Sequence, residues 1–145
     1  MPLSGFPVLS VLIFFPLVAA VALIPLKNTS TIKVFTFVVS LVECLLLAPI
    51  LLAFDTTTAA FQFVEKHAWI EAWNIQYYLG IDGISVLLVL LTVFLLPVCV
   101  LCSWRYIEQR IKEFNISLLL MTTVCLGIFA ALDFVLFYIF WEAML

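Results

Sequence analysis

The sequence predicts an all-α integral membrane protein: four complete transmembrane helices and the start of a fifth, with a short β-hairpin in the loop between helices two and three. Three observations predict it. Hydrophobic residues make up 67% of the chain and charged residues 10%, and the mean hydropathy is +1.33, far outside the composition of a soluble globular domain. The apolar residues fall in runs near the roughly 20 residues that cross about 30 Å of hydrocarbon. Most of the charges gather in the connections between those runs.

The first 26 residues carry no charged side chain, so the basic n-region of a cleaved signal peptide is missing and 3–26 reads as a retained membrane helix. The second span is expected over 34–54, the third over 84–102 and the fourth over 114–132. Between the second and third, the stretch 55–83 holds "FQFVEKHAWIEAWNIQYYLGIDG", whose alternation around Glu65, Lys66 and His67 predicts a hairpin. Its Phe61, Phe63, Trp69, Trp73, Tyr77 and Tyr78 are residue types that settle at a membrane interface. Asp82-Gly83 supplies a turn and a cap for the third helix, a carboxylate facing the positive end of the helix dipole.

The fifth span opens at Asp133, a second expected helix cap, and runs over 133–145, about seven residues short of the far interface. The chain therefore reads as a single membrane domain, 1–145, belonging to a longer subunit or to one product of a split one. No internal repeat or low-complexity segment is evident.

Charge placement suggests a direction. Lys27 and Lys33 lie between spans one and two, and Arg105, Arg110 and Lys112 between three and four, against Lys66 alone on the other side. By the positive-inside bias, the basic loops face the cytoplasm and the N-terminus and hairpin face outward. The expected home is a bacterial plasma membrane or an equivalent energy-transducing membrane. A net charge of -3 says little about partners, and no basic patch suggests nucleic acid.

Two carboxylates fall within spans, Glu43 and Glu142, each nine residues from the start of its segment. At about 1.5 Å per residue both reach about 13.5 Å in, near the bilayer midplane. A charge there persists only against protein, water or a partner, which makes each a functional candidate. For Glu142, desolvation favours the neutral acid and a nearby cation the charged form, so that the group can load and release a proton. The bland reading is a neutral acid hydrogen-bonded to a neighbouring helix, with Tyr138 one turn back. No cation within these spans can serve as the partner.

Glu108 and Glu113 flank Arg105, Arg110 and Lys112, and read as a solvated charged loop or as a proton entrance. His67 reads as a solvated side chain of the outer hairpin rather than a ligand. Pro16, Pro49 and Pro97 each remove a backbone donor inside a span, a break tolerated where neighbouring helices satisfy the freed groups. Cys44, Cys99, Cys102 and Cys125 all sit in apolar runs, and the C-x-x-C pair has no second pair to make a metal or redox site. No nucleophile paired with a base, phosphate loop, metal cluster, haem or flavin signature is present.

"YYLGIDGISVLLVLLTVFL", "LCSWRYIEQR" and "ALDFVLFYIFWEAML" together resemble the N-terminal third of the antiporter-like membrane subunits of complex I, the proton-pumping NADH:quinone oxidoreductase. The likeness is nearest the chain M type, subunit 4 in mitochondria, and extends to "FQFVEKHAWI". It is specific from about Phe61 to Leu145. Before that, only the hydropathy agrees. The resemblance implies a subunit that conducts protons through half-channels of paired, inverted helix repeats, coupled to quinone reduction elsewhere. It matches Glu142 to a proton-transfer glutamate that works with a lysine on a later helix, and Glu108 to an acidic residue of the "CSW..IE" stretch. Glu43 matches no motif and stays a candidate on depth alone.

The resemblance also implies that FMN, iron-sulfur clusters and quinone belong to other subunits, with no cofactor or redox chemistry in this chain. The expected partners are those membrane subunits, the remainder of this one, neighbouring antiporter-like chains, lipid and protons. Similar helices occur in multi-subunit Na⁺/H⁺ antiporters and membrane-bound hydrogenases. A non-conducting structural fragment is the third reading.

Overall fold

The computed structural model describes residues 7–145, so residues 3–6 of the expected first span lie outside the described residues. Five helices follow one another: α1 (Val8–Leu23), α2 (Thr29–Ala53), α3 (Ser85–Tyr106), α4 (Ile111–Ala130) and α5 (Phe134–Met144). A hairpin of β1 (Gln62–Ile70) and β2 (Ile75–Ile81) separates α2 from α3. By length and apolarity, α2, α3 and α4 can cross a membrane, while α1 and α5 are shorter apolar helices.

Local chemistry moves several boundaries. α2 begins five residues before the expected Val34 because Asn28 caps it, its side chain accepting from the Ser30 N–H at 2.9 Å. The "TSTIK" run that reads as loop is thus the first turn and a half of a helix. α1 stops before Pro25, which has no N–H for the next helical bond. The chain tightens instead through Ile24 N–H to Val21 O and Leu26 N–H to Leu23 O, both 3.1 Å. α3 runs on to Tyr106, four residues past its expected end, carrying Arg105 in its last turn where a cation favours the dipole.

Two of the loop lysines hold this end together. Lys33 Nζ donates to the Trp104 carbonyl at 2.5 Å, and Lys112 Nζ to the Ile24 carbonyl at 2.8 Å. Both acceptors sit at helix C-termini, where carbonyls lack intrahelical donors. Lys112 is thereby tied to the α1–α2 connection.

α4 is central, packing against α1, α2, α3 and α5. Gly127 permits the close approach of α5: a Cβ there would collide with the ring of Phe140. The interior forms two apolar clusters. The one nearer the hairpin contains Leu9, Leu12, Leu47, Ile50, Val93 and Leu126. The one nearer the basic loops contains Ala19, Leu23, Ile32, Val39, Leu96 and Leu119.

The hairpin pairs antiparallel, with Glu65 opposite Leu79 and His67 opposite Tyr77. A 3-10 turn, Glu71–Trp73, and Asn74 at φ 53° reverse the chain, Asn being one of the few residues that tolerate the left-handed region. β2 is also held at its other edge: Leu79 bridges Ala131, and Leu132 N–H donates to Tyr78 O at 2.9 Å. The aromatics expected at the membrane interface divide accordingly. Phe61, Trp69 and Trp73 are exposed, whereas Tyr77 and Phe63 pack on the hairpin-side core.

Candidate proton-transfer site

The two helix caps define how the hairpin holds its neighbours. Asp133 accepts from Val135 N–H at 2.9 Å and Leu136 N–H at 3.2 Å, and its second oxygen takes Gln76 N–H of β2 at 3.2 Å. Burial pushes its carboxyl up, but these three backbone donors outweigh it and hold the group below the usual carboxylate range. Asp82 accepts from Ser85 N–H at 2.7 Å and Ile84 N–H at 3.1 Å, and its carbonyl takes Val86 N–H at 3.0 Å, opening α3. Those donors lower its carboxyl, the Ser85 N–H foremost.

Asp133 sets the position of Glu142, which lies nine residues on, about 13.5 Å along the helix. Phe140, locked over Gly127, sets the rotation. Glu142 consequently projects from the uncovered face of α5, with Phe134, Tyr138 and Trp141, all exposed. This face carries a carboxylate among aromatics and has no neighbour among the described residues.

Glu43 has the opposite setting. It is fully buried, and neither carboxylate oxygen has a hydrogen-bond partner among the described residues. It shares one face of α2 with Thr36, Ser40, Leu47 and Ile50, all buried, at the helical spacing of i, i+4, i+7, i+11 and i+14. Along α2, Glu43 falls between Val39 of one apolar cluster and Leu47 of the other. Along α4, the buried Thr122 and Thr123 fall between Leu119 and Leu126 in the same way. A polar layer therefore divides the core. Beside it, Pro97 leaves the Val93 carbonyl of α3 without its helical donor, and the Cys44 thiol lies 3.8 Å from that oxygen.

Glu108 lies exposed in the α3–α4 connection. His67 is exposed as well, its ring 6.4 Å from that of Tyr77. Among the described residues, no group of three or more His, Cys, Asp or Glu side chains could hold a metal ion.

Sequence reasoning missed Glu65. It is the one buried residue of β1, and its carboxylate accepts from Leu9 N–H at 2.7 Å and from Ser10 N–H at 3.2 Å. The Ser10 hydroxyl contacts both Glu65 Oε2 and the Tyr77 hydroxyl, the latter at 2.6 Å. Glu65 thus caps α1 from 55 residues away in sequence. The signal was there: α1 is preceded by Pro7, which offers no side-chain acceptor, and strand pairing places Glu65 opposite the core residue Leu79.

Apolar helices of alternating direction, closed at one end by a hairpin that ties their termini together, define a multi-pass membrane protein. Residues 8–132 match the family model described as NADH-ubiquinone oxidoreductase chain 4, amino terminus, and the chain belongs to that family. It is 39% identical over 139 residues to NADH-ubiquinone oxidoreductase chain 4 of Arabidopsis thaliana, covering 94% of this chain and 28% of the relative. It is 42% identical over 148 residues to NADH-quinone oxidoreductase subunit M of Rhodobacter capsulatus, covering 93% and 27%. It is 40% identical over 136 residues to F(420)H(2) dehydrogenase subunit M of Methanosarcina mazei, covering 94% and 28%. The chain thus spans just over a quarter of the length of these relatives. In fold it is similar to a chain of the membrane-bound sulfane sulfur reductase, an archaeal respiratory membrane complex, with a TM-score of 0.72 at 18% identity over 94% of this chain and 21% of that one.

Proposed function

We propose that this chain is the N-terminal part of a proton-translocating membrane subunit of an NADH:quinone oxidoreductase, with Glu142 as its midplane proton-transfer carboxylate. The observation that carries the reading is the placement of Glu142 on the uncovered face of α5, about 13.5 Å from a capped helix start. A carboxylate among aromatics at that depth persists only with a partner. A cation on a following helix of the same subunit fits that face, and charge exchange between the two drives loading and release.

The relatives named for NADH-quinone oxidoreductases and the one named for an F(420)H(2) dehydrogenase are about equally similar to this chain. That similarity across two electron donors favours a role downstream of electron entry. FMN, iron-sulfur clusters and quinone accordingly belong to other subunits, and the redox chemistry is theirs. The basic loops face the cytoplasm and the hairpin faces outward, in a bacterial plasma membrane or its equivalent. Glu108, exposed among Arg105, Arg110 and Lys112 on the basic side, is the proton entrance.

The experiment is Glu142→Gln in the full-length subunit within its complex, measured as quinone-dependent proton uptake in vesicles. Proton uptake is expected to fall by about 100-fold, the lower end of what a general acid–base group supplies. Uptake at the wild-type level overturns the assignment.

A further inference from the structure

We propose that Glu43 is a second proton-binding site, carried in the polar layer that divides the core and supplied from the basic-loop side along the Thr36–Ser40 face of α2. The inference rests on the reading of this chain as a proton-translocating subunit. It adds a site inside the bundle, away from the open face that carries Glu142.

The first ground is the state of the carboxylate itself. Glu43 is fully buried, and both of its oxygens lack a partner among the described residues. A buried polar group in a native core is ordinarily satisfied, so one that is not calls for a physical explanation. The cations on the packed helices are committed to carbonyls or sit exposed at helix ends, and the other titratable groups there are not cations. α1 contributes no titratable side chain within Val8–Leu23. α3 contributes the exposed Cys99 and Cys102 thiols, with Arg105 and Tyr106 exposed at its end. α4 contributes the half-buried Cys125, with Lys112 and Glu113 in its first turn. On α2 itself, Lys33 is bonded to Trp104 O, and Cys44 adjoins Glu43 in sequence. Without a counter-ion, the neutral acid is the form that can remain there.

The second ground is the set of buried hydroxyls on the same face of α2 and on α4, which packs against it. The Thr36, Ser40 and Thr122 hydroxyls donate to their own helices, to Ile32 O, Phe37 O and Leu118 O at 3.0, 2.7 and 2.9 Å. Their oxygens keep lone pairs free to accept from water. The Thr123 hydroxyl, also buried, has no partner at all among the described residues. Glu43 and Thr123 are thus unsatisfied on two helices that pack together, in the gap between the two apolar clusters.

The third ground is asymmetry. Toward the basic loops, the buried side chains include Thr36, Ser40 and Asn115. Toward the hairpin, α2 and α4 bury Leu47, Ile50, Leu126 and Ala130. Among the described residues, the one buried polar side chain at that end, Glu65, is committed to the α1 terminus. A proton arriving as hydronium from the basic side adds to a Glu43 carboxylate oxygen and leaves water behind. Release reverses the step toward whichever acceptor the pump next presents.

The test uses the intact complex with the full-length subunit, in vesicles. Glu43→Gln keeps the volume and hydrogen-bonding capacity of a neutral acid but cannot bind the proton. Quinone-dependent proton uptake is expected to drop at least about tenfold, and the infrared carbonyl band of one protonated carboxylic acid is expected to disappear. Glu43→Asp is expected to restore part of the uptake and to move that band. Wild-type uptake in E43Q overturns the proposal, because a purely structural neutral acid is replaced by glutamine without loss. Should E43Q fail to assemble, E43D decides: a moved band that shifts in D2O supports the site, and an unmoved band overturns it. Normal pumping in E142Q together with an exchanging Glu43 band sinks the Glu142 assignment and leaves this one standing.

Discussion

Removing Glu65 tests whether the hairpin or the helix itself holds the start of α1. The acceptor set is small and its environment is known. Leu9 N–H donates to Glu65 Oε1 at 2.7 Å, and Leu9 is 1% exposed, so water cannot replace the lost acceptor. A hydrogen bond from a buried donor to a charged group contributes about 2 kcal/mol. Ser10 N–H, at 3.2 Å to both oxygens, is only part-buried, so water recovers some of its loss and about 1 kcal/mol is at stake. The total, about 3 kcal/mol, corresponds to an opening equilibrium about 150-fold more populated. Hydrogen exchange read by mass spectrometry on the Glu65→Ala protein should therefore show the Leu9 and Ser10 amides exchanging about two orders of magnitude faster. Amides around Leu119 to Leu126 in α4 serve as the internal control and should not change. Glu65→Gln, which keeps one acceptor oxygen and loses the charge, should show about a tenfold effect. Unchanged exchange at Leu9 in Glu65→Ala would refute the capping argument, since among the described residues no other acceptor is bonded to that amide.

Two further outcomes follow from the α4–α5 contact and the α3 cap. Gly127→Ala places a methyl group against the Phe140 ring. Overpacking of about 1–3 kcal/mol should exceed the gain of up to about 1 kcal/mol from replacing a helical glycine, lowering the thermal midpoint. Combining it with Phe140→Ala should cancel the overpacking part, and a midpoint that rises in Gly127→Ala alone would contradict the contact. Asp82 titrates below its ordinary 3.8 because Ser85 N–H and its neighbours bind the carboxylate. Its contribution to stability is therefore full above that ordinary value and is lost as pH falls through the lowered folded one. Stability should fall less steeply between about pH 4 and 2 in Asp82→Asn than in the wild type, and identical slopes would remove Asp82 as the cap.

Much of this architecture is legible in one dimension because leaving water is decided residue by residue. Apolar runs marked the spans, and the alternation around Glu65 marked the hairpin. Asp82 and Asp133 stand where polar residues open apolar runs, so their capping geometry could be anticipated. The boundary of α2 was not legible, because Asn28 caps a turn whose Ser and Thr residues also suit a loop. Nor was the division of the hairpin aromatics, since both strand faces carry ring side chains and only contact with the bundle draws Tyr77 inward while Trp73 stays exposed.

The carboxylates show where sequence ends and tertiary structure begins. Depth along a helix follows from counting at about 1.5 Å per residue, so the sequence alone predicts the same mid-membrane depth for Glu43 and Glu142. It could not distinguish them, because lipid and protein interior are both apolar and hydropathy does not say which one a side chain meets. Helix rotation decides that. The packing of α1, α3 and α4 against α2 enclosed Glu43, the Gly127–Phe140 contact turned Glu142 to the open face, and strand pairing carried Glu65 to the start of α1.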